Sequence, residues 1–162
     1  MLLFAGLLLT FYALTLTPFA ERRAWPAYLE WNADAAGAIL NALGQDVTVH
    51  DRTVRSSTPG SGLLIERGCD AVHPSGLFLA AVLAAPVAFR FKLPAAVIGP
   101  LLMMITNLFR IVTLYYVQIH APRAFEFLHV EVWQAAFIFL AVLLWIVWAR
   151  WAVRRGGLAT AV

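Results

Sequence analysis

The stretch LPAAVIGPLLMMITNLFRIVTLYYVQI, Leu93–Ile119, decides how the chain is read. A bilayer core about 30 Å thick takes roughly 20 mainly apolar helical residues. This run exceeds that length and carries one full charge, Arg110. An arginine within a spanning helix costs about 2.5–3.5 kcal/mol on insertion scales, so it faces a protein interior or a watery cavity and has a partner. Arg110 lies about 13 Å before the end of the run at 1.5 Å per residue. Thr106, Asn107 and Thr113 fall on neighbouring faces of the same helix and extend a polar stripe around it. A purely structural reading pairs Arg110 with Asp70, Glu126 or Glu131 to lock a helix bundle.

The rest of the chain agrees with a membrane setting. Hydrophobic residues make up 62% and charged residues 13%, with mean hydropathy +0.78, against roughly 25% charged in a soluble domain. Three further apolar runs, Leu2–Phe19, Ala71–Phe89 and Val132–Ala149, make four expected spans. The first has no basic residue ahead of it and a poor cleavage site at Pro18-Phe19-Ala20, so it reads as a retained anchor and not a signal peptide. Lys and Arg in short loops stay on the cytoplasmic side. Arg90 and Lys92 separate the second and third runs, and Arg150, Arg154 and Arg155 follow the fourth. Both termini are therefore expected in the cytoplasm, and every carboxylate outside it. The net charge of +3 reflects this topology, and no basic stretch interleaved with aromatics argues for nucleic acid.

Residues 21–70 form the sizeable polar insertion, too short for a large core of its own. Tyr28, Trp31, Ala35, Ile39 and Leu43 recur at helical spacing, predicting an amphipathic helix at the interface that ends at Leu43-Gly44. Val47–His50, Thr53–Arg55 and Leu63–Glu66 read as short strands, with a turn at Asp51-Arg52 and a loop at Pro59–Gly62. The expected fold is thus an all-α integral membrane protein. It comprises a four-helix transmembrane bundle with a small extracytoplasmic amphipathic helix and a β-hairpin or sheet, divided as 1–20, 21–70 and 71–162.

The insertion closes on Cys69, the only cysteine. It cannot form an intramolecular disulfide, and a lone thiol in an oxidising compartment is either buried or used. Inert packing is the default for a single cysteine. Of the histidines, His50 lies in the hairpin, His73 follows Cys69 closely, and His120 and His129 flank the last outer loop. Glu131 and Gln134 come just behind His129. Gly-x-Ser-x-Gly and H-E-x-x-H motifs do not occur, no acidic residue lies in a span, and no two histidines sit at ligand spacing on one helix. No metal or cofactor is expected. The remaining chemistry is a Cys69 thiolate attacking a peptide carbonyl, Arg110 stabilising the oxyanion, and His129 moving the proton. His73 is a local rival for that last role.

Three ordered motifs carry a family resemblance. They are Leu43-Gly44…Val47…Val54…Ile65…Gly68-Cys69, then Asn107-Leu108-Phe109-Arg110-Ile111, then Phe127-Leu128-His129…Trp133-Gln134. Over about Leu40–Ala149 the chain resembles the exosortase/archaeosortase membrane transpeptidases, and most of all the compact H-type exosortases. The resemblance implies Cys69, Arg110 and His129 as catalytic residues. Asn107, Asp70, Glu131 and Gln134 are candidates for substrate contacts. The chain departs from many relatives in reading Cys69-Asp70-Ala71 where they place a small residue or Asn and then Gly. It also has about half the spans of commoner members, so it is either a minimal core or completes its groove by homo-oligomerising.

The implied partners are exported proteins whose C-terminal sorting tail has a short motif, one transmembrane helix and a basic end. The implied location is the bacterial cytoplasmic membrane, with the active site on the extracytoplasmic face and cleavage followed by hydrolysis or transfer to an envelope acceptor. Two other classes stay open: a non-catalytic membrane scaffold, and a small transporter or cofactor protein using Arg110 and the histidines.

Overall fold

Proline placement sets where the helices break. A computed structural model of the chain describes residues 1–56, 62–68 and 70–156. Helix α1, Leu2–Thr15, stops just before Thr17-Pro18, where the residue ahead of a proline is disfavoured in the helical region. Pro18 then opens the next helical segment, and the Thr17 hydroxyl caps it by accepting from the Ala20 N–H at 3.3 Å. A π turn, Ala20–Ala24, leads into α2, Trp25–Ala42. Three strands follow, β1 Val47–His50, β2 Thr53–Ser56 and β3 Gly62–Leu64. Then come α3 Val72–Ala84, α4 Phe89–His120 and α5 Trp133–Arg154. The π turn Phe127–Val132 immediately precedes α5.

Two helical runs are long and apolar enough to cross a membrane: α4 with 32 residues, and Phe127–Arg154 with 28. A third is reached if α1 and the Ala20–Ala42 helix count as one broken span. The expected first and second spans are corrected in length. The second was read as Ala71–Phe89, but α3 has only 13 residues, because Ala85 precedes Pro86 and is extended at φ −65°, ψ 143°. At 14 and 13 residues, α1 and α3 each fall short of the roughly 20 needed to span alone. The chain is therefore a mostly helical membrane protein with two or three candidate spans and a small three-stranded sheet.

The chain divides into two units. The first gathers Met1–Leu14, Ala71–Met104 and Ala135–Val162. Small residues let its helices approach closely: a Cβ on Gly76 would strike the Phe11 ring, and one on Gly99 would strike Phe78. The Trp148 indole N–H donates to the Phe91 carbonyl at 2.8 Å, and the Lys92 ammonium caps the end of α3 by donating to the Leu83 carbonyl at 2.6 Å.

The second unit gathers Thr15–Asp70 and Ile105–Gln134. Its core joins Leu29, Ala33, Ala36 and Leu40 of α2 to Val47, Val54 and Ile65 and to Ile111, Val112 and Tyr115 of α4. The face of α2 packed against the sheet and α4 is thus the Leu29, Ala33, Ala36 and Leu40 face, while Trp31, Ile39 and Leu43 of the expected interfacial stripe are exposed. The small residues explain the choice. At Gly37 a Cβ would collide with Val49, so the Ala/Gly face admits the sheet where the Trp31 face cannot. The end of α2 falls as expected, with Gly44 at φ 82° and the Gln45 and Gly44 N–H groups donating to the Leu40 and Asn41 carbonyls. The Asn41 side chain then pairs with both backbone groups of Val47 at 3.1 Å, setting β1 against the helix.

The sheet is antiparallel in the order β1-β2-β3, with Val49 opposite Val54 and Val54 opposite Leu63. Its first turn lies at Asp51-Arg52 as read from the sequence, Asp51 being left-handed at φ 52°. The expected loop residues 59–61 lie outside the described residues.

Candidate active site

Gly68 carries the backbone into the Cys69 motif at φ 94°, a conformation open to glycine and costly to other residues. Its N–H donates to Asp70 Oδ2 at 2.8 Å, and its carbonyl accepts from Arg110 Nη1 at 3.4 Å. One residue earlier, Arg67 forms a bidentate pair with Glu21 at 2.8 and 2.9 Å and lies 4.7 Å over the Trp25 ring. Both residues ahead of Cys69 are thereby held in place. Cys69 itself lies outside the described residues.

Arg110 is 5% exposed, and a second nitrogen of its guanidinium, Nη2, donates to the His129 carbonyl at 3.1 Å. A planar fork bridges acceptors on two segments from two separate nitrogens, where an ammonium has only one. The Thr113 hydroxyl donates to the Arg110 carbonyl at 2.9 Å, and Phe109 packs edge-on against Trp133 at 5.9 Å. These contacts fix α4 beside the π turn that bears His129. The Trp133 N–H donates to the Leu128 carbonyl, five residues back, which widens the turn under His129. The His129 ring lies 5.5 Å from Phe125.

The arginine motif thus touches the residue before Cys69 and the backbone of His129. The other histidines are engaged elsewhere. His73 stacks on Tyr12 at 5.6 Å, His50 pairs with Asp51 at 3.0 Å, and His120 stacks on Tyr116 at 6.3 Å. Asp70 is buried, while Glu131 and Gln134 are exposed. Asn107 is fully buried and donates to Asn32 Oδ1 at 3.1 Å, and Asn32 in turn donates to the Tyr28 carbonyl at 2.8 Å.

Sequence reading singled out Asn107 but not Asn32, which lies in a helix read as interfacial. It also missed Glu21, Trp25 and Arg67. Their only advance signal was an acid and an aromatic just after the first apolar run, and a cation just before Gly68.

A family model described as transmembrane exosortase matches residues 1–146. Searches of curated proteins and of solved structures give no match.

Proposed function

The chain belongs to the transmembrane exosortase family, a family of cysteine-type transpeptidases, and we propose that it cuts the C-terminal sorting tails of exported proteins through a thioester on Cys69. The Cys69 thiolate attacks the carbonyl carbon of the scissile peptide, and the resulting oxyanion is stabilised by Arg110. The C–N bond then breaks, and the departing amine takes a proton from His129. An incoming amine or water gives its proton back to His129 and displaces the thiolate, releasing a transferred or hydrolysed C-terminus.

The observation that supports this reading is the Arg110 fork, which bonds the residue adjoining Cys69 on one side and the His129 carbonyl on the other. Three segments far apart in sequence meet at one buried cation. Asp70, Asn107, Glu131 and Gln134 are the proposed substrate contacts, with Glu131 exposed on the π turn that bears His129 and Gln134 exposed at the start of α5.

The proposed setting is the bacterial cytoplasmic membrane with both termini inside and the site on the outer face. This follows from the basic residues Arg90, Lys92, Arg150, Arg154 and Arg155 and the positive-inside rule. A four-span arrangement needs α1 and α3 to cross as short helices with locally thinned bilayer. The substrate's own basic end obeys the same rule, so its helix inserts in parallel with the enzyme's orientation, beside one copy or within a homo-oligomer.

The test is processing of a tagged exported protein ending in motif, helix and basic tail, co-expressed with the wild type or with Cys69→Ala at matched membrane level. Wild type shortens the substrate and Cys69→Ala does not, while Cys69→Ser retains little. Normal shortening by Cys69→Ala refutes the thioester mechanism.

A further inference from the structure

Charge is divided between the two units without exception for acids. Met1–Leu14, Ala71–Met104 and Ala135–Val162 contain no Asp or Glu, yet hold Arg90, Lys92, Arg150, Arg154 and Arg155. These cations have no carboxylate in their own unit to balance them. The same unit contains an apolar cavity of about 480 Å³, lined among others by Phe78, Ala95, Leu102, Leu144, Trp148 and Trp151. A Cβ at Gly99, also in the lining, would strike Phe78, so the glycine lets that ring close one wall.

The cavity and the cations adjoin. Trp151 lines the cavity and packs edge-on against Phe91 at 5.6 Å, and the Arg90 guanidinium lies 4.8 Å over the Phe91 ring. Arg150 and Arg154 flank Trp151 in sequence and, four apart, share a helix face. We infer that this is a binding site for an anionic glycerophospholipid, with one acyl chain in the cavity and the phosphate at Arg90, Arg150 and Arg154.

Charge chooses among the occupants. A transmembrane helix with a basic end would bring like charge to the arginines, and so would a second copy of this chain. A single acyl chain fits the apolar lining, and an anionic headgroup complements the exposed arginines. Lipid tails are already in hydrocarbon, so tail burial gives little selectivity. Discrimination must come from the headgroup, because clustered Lys and Arg beside a spanning helix attract anionic lipid.

The experiment uses the full chain in mild detergent with two photoactivatable lipids, phosphatidylglycerol and phosphatidylcholine, each with a diazirine at the end of one acyl chain. Phosphatidylglycerol should label the 95–102 and 144–151 peptides about tenfold more than phosphatidylcholine does. Ile98→Trp, which fills the cavity from an exposed lining position, should remove that labelling. The double variant Arg90→Gln/Arg150→Gln should reduce phosphatidylglycerol labelling to the phosphatidylcholine level, whereas Arg90→Lys/Arg150→Lys should keep the preference. Equal labelling by the two lipids in the wild type overturns the proposal. So does labelling that survives Ile98→Trp, loss of preference in the Lys pair, or cavity crosslinks made chiefly to a second copy or to added tail helix.

Discussion

Arg110→Lys separates chemistry from architecture most sharply. The wild-type guanidinium donates to the Gly68 carbonyl at 3.4 Å and the His129 carbonyl at 3.1 Å from two different nitrogens. A lysine at the same position keeps the charge but offers its three donors from one nitrogen, so it cannot reproduce the guanidinium's reach to the two carbonyls from two separate nitrogens. Losing one hydrogen bond to a charged group costs about 1.5–3 kcal/mol, and losing an oxyanion donor about 2.7–4 kcal/mol. The rate of tail cleavage should therefore fall roughly 10²-fold or more, each 1.4 kcal/mol being a factor of ten. Stability should fall less, because the ammonium still satisfies one acceptor. Arg110→Ala should abolish cleavage and also lower the melting temperature, since the Gly68 and His129 carbonyls each lose a charged donor and such a bond is worth about 1.5–3 kcal/mol. The assay is single-turnover processing of a tagged tail in proteoliposomes, alongside thermal unfolding in detergent. If Arg110→Lys cleaves at the wild-type rate while Arg110→Ala fails to accumulate, the arginine is architectural and the proposed mechanism loses its cation.

Among the histidines, His129→Gln should stop cleavage at matched protein level, while His73→Ala, His50→Ala and His120→Ala each keep most of it. Loss confined to His73→Ala would move the proton shuttle to a ring that stacks on Tyr12. Gly37→Ala should lower the thermal midpoint, since its Cβ runs into Val49 and overpacking costs about 1–3 kcal/mol. Gly6→Ala, where a Cβ meets nothing, should not lower it and serves as the control. Asn41→Ala removes both bonds to Val47 and should cost about 1–2 kcal/mol in the same melt, part of each bond being replaced by water.

What the sequence disclosed depended on whether the signal was local. The first two strands, the Asp51-Arg52 turn and the Gly44 stop are written in neighbouring residues and stand where read, while the third strand, read as Leu63–Glu66, runs Gly62–Leu64. Hydropathy counts apolar side chains without asking whether the backbone continues. Pro18 and Pro86 therefore shortened two expected spans that composition alone had extended. The interfacial stripe of α2 could be read from Trp31 and Ile39, whereas its protein-packing face could not, because that contact is made by what is absent at Ala33, Ala36 and Gly37. Arg110 was recognisable from its cost in an apolar run, but its acceptors were not. Carboxylate partners can be guessed from a sequence, whereas the carbonyls of Gly68 and His129 belong to every residue alike. Asn32 stayed hidden for the related reason that its partner is 75 positions away.

The wide turn at Phe127–Val132 makes chain length itself a functional constraint. The turn closes on a five-residue hydrogen bond where an α-helix needs four, so removing any one residue between His129 and Trp133 would return it to α-helical register and turn the histidine relative to the indole that follows it. Composition would hardly change, and every remaining side chain would be conserved. Yet His129 would face a different direction and its carbonyl would leave the arginine. The number of residues between that histidine and tryptophan is therefore as specific a marker of the proposed active geometry as their identities, and a single-codon deletion there should be as damaging as replacing the histidine outright.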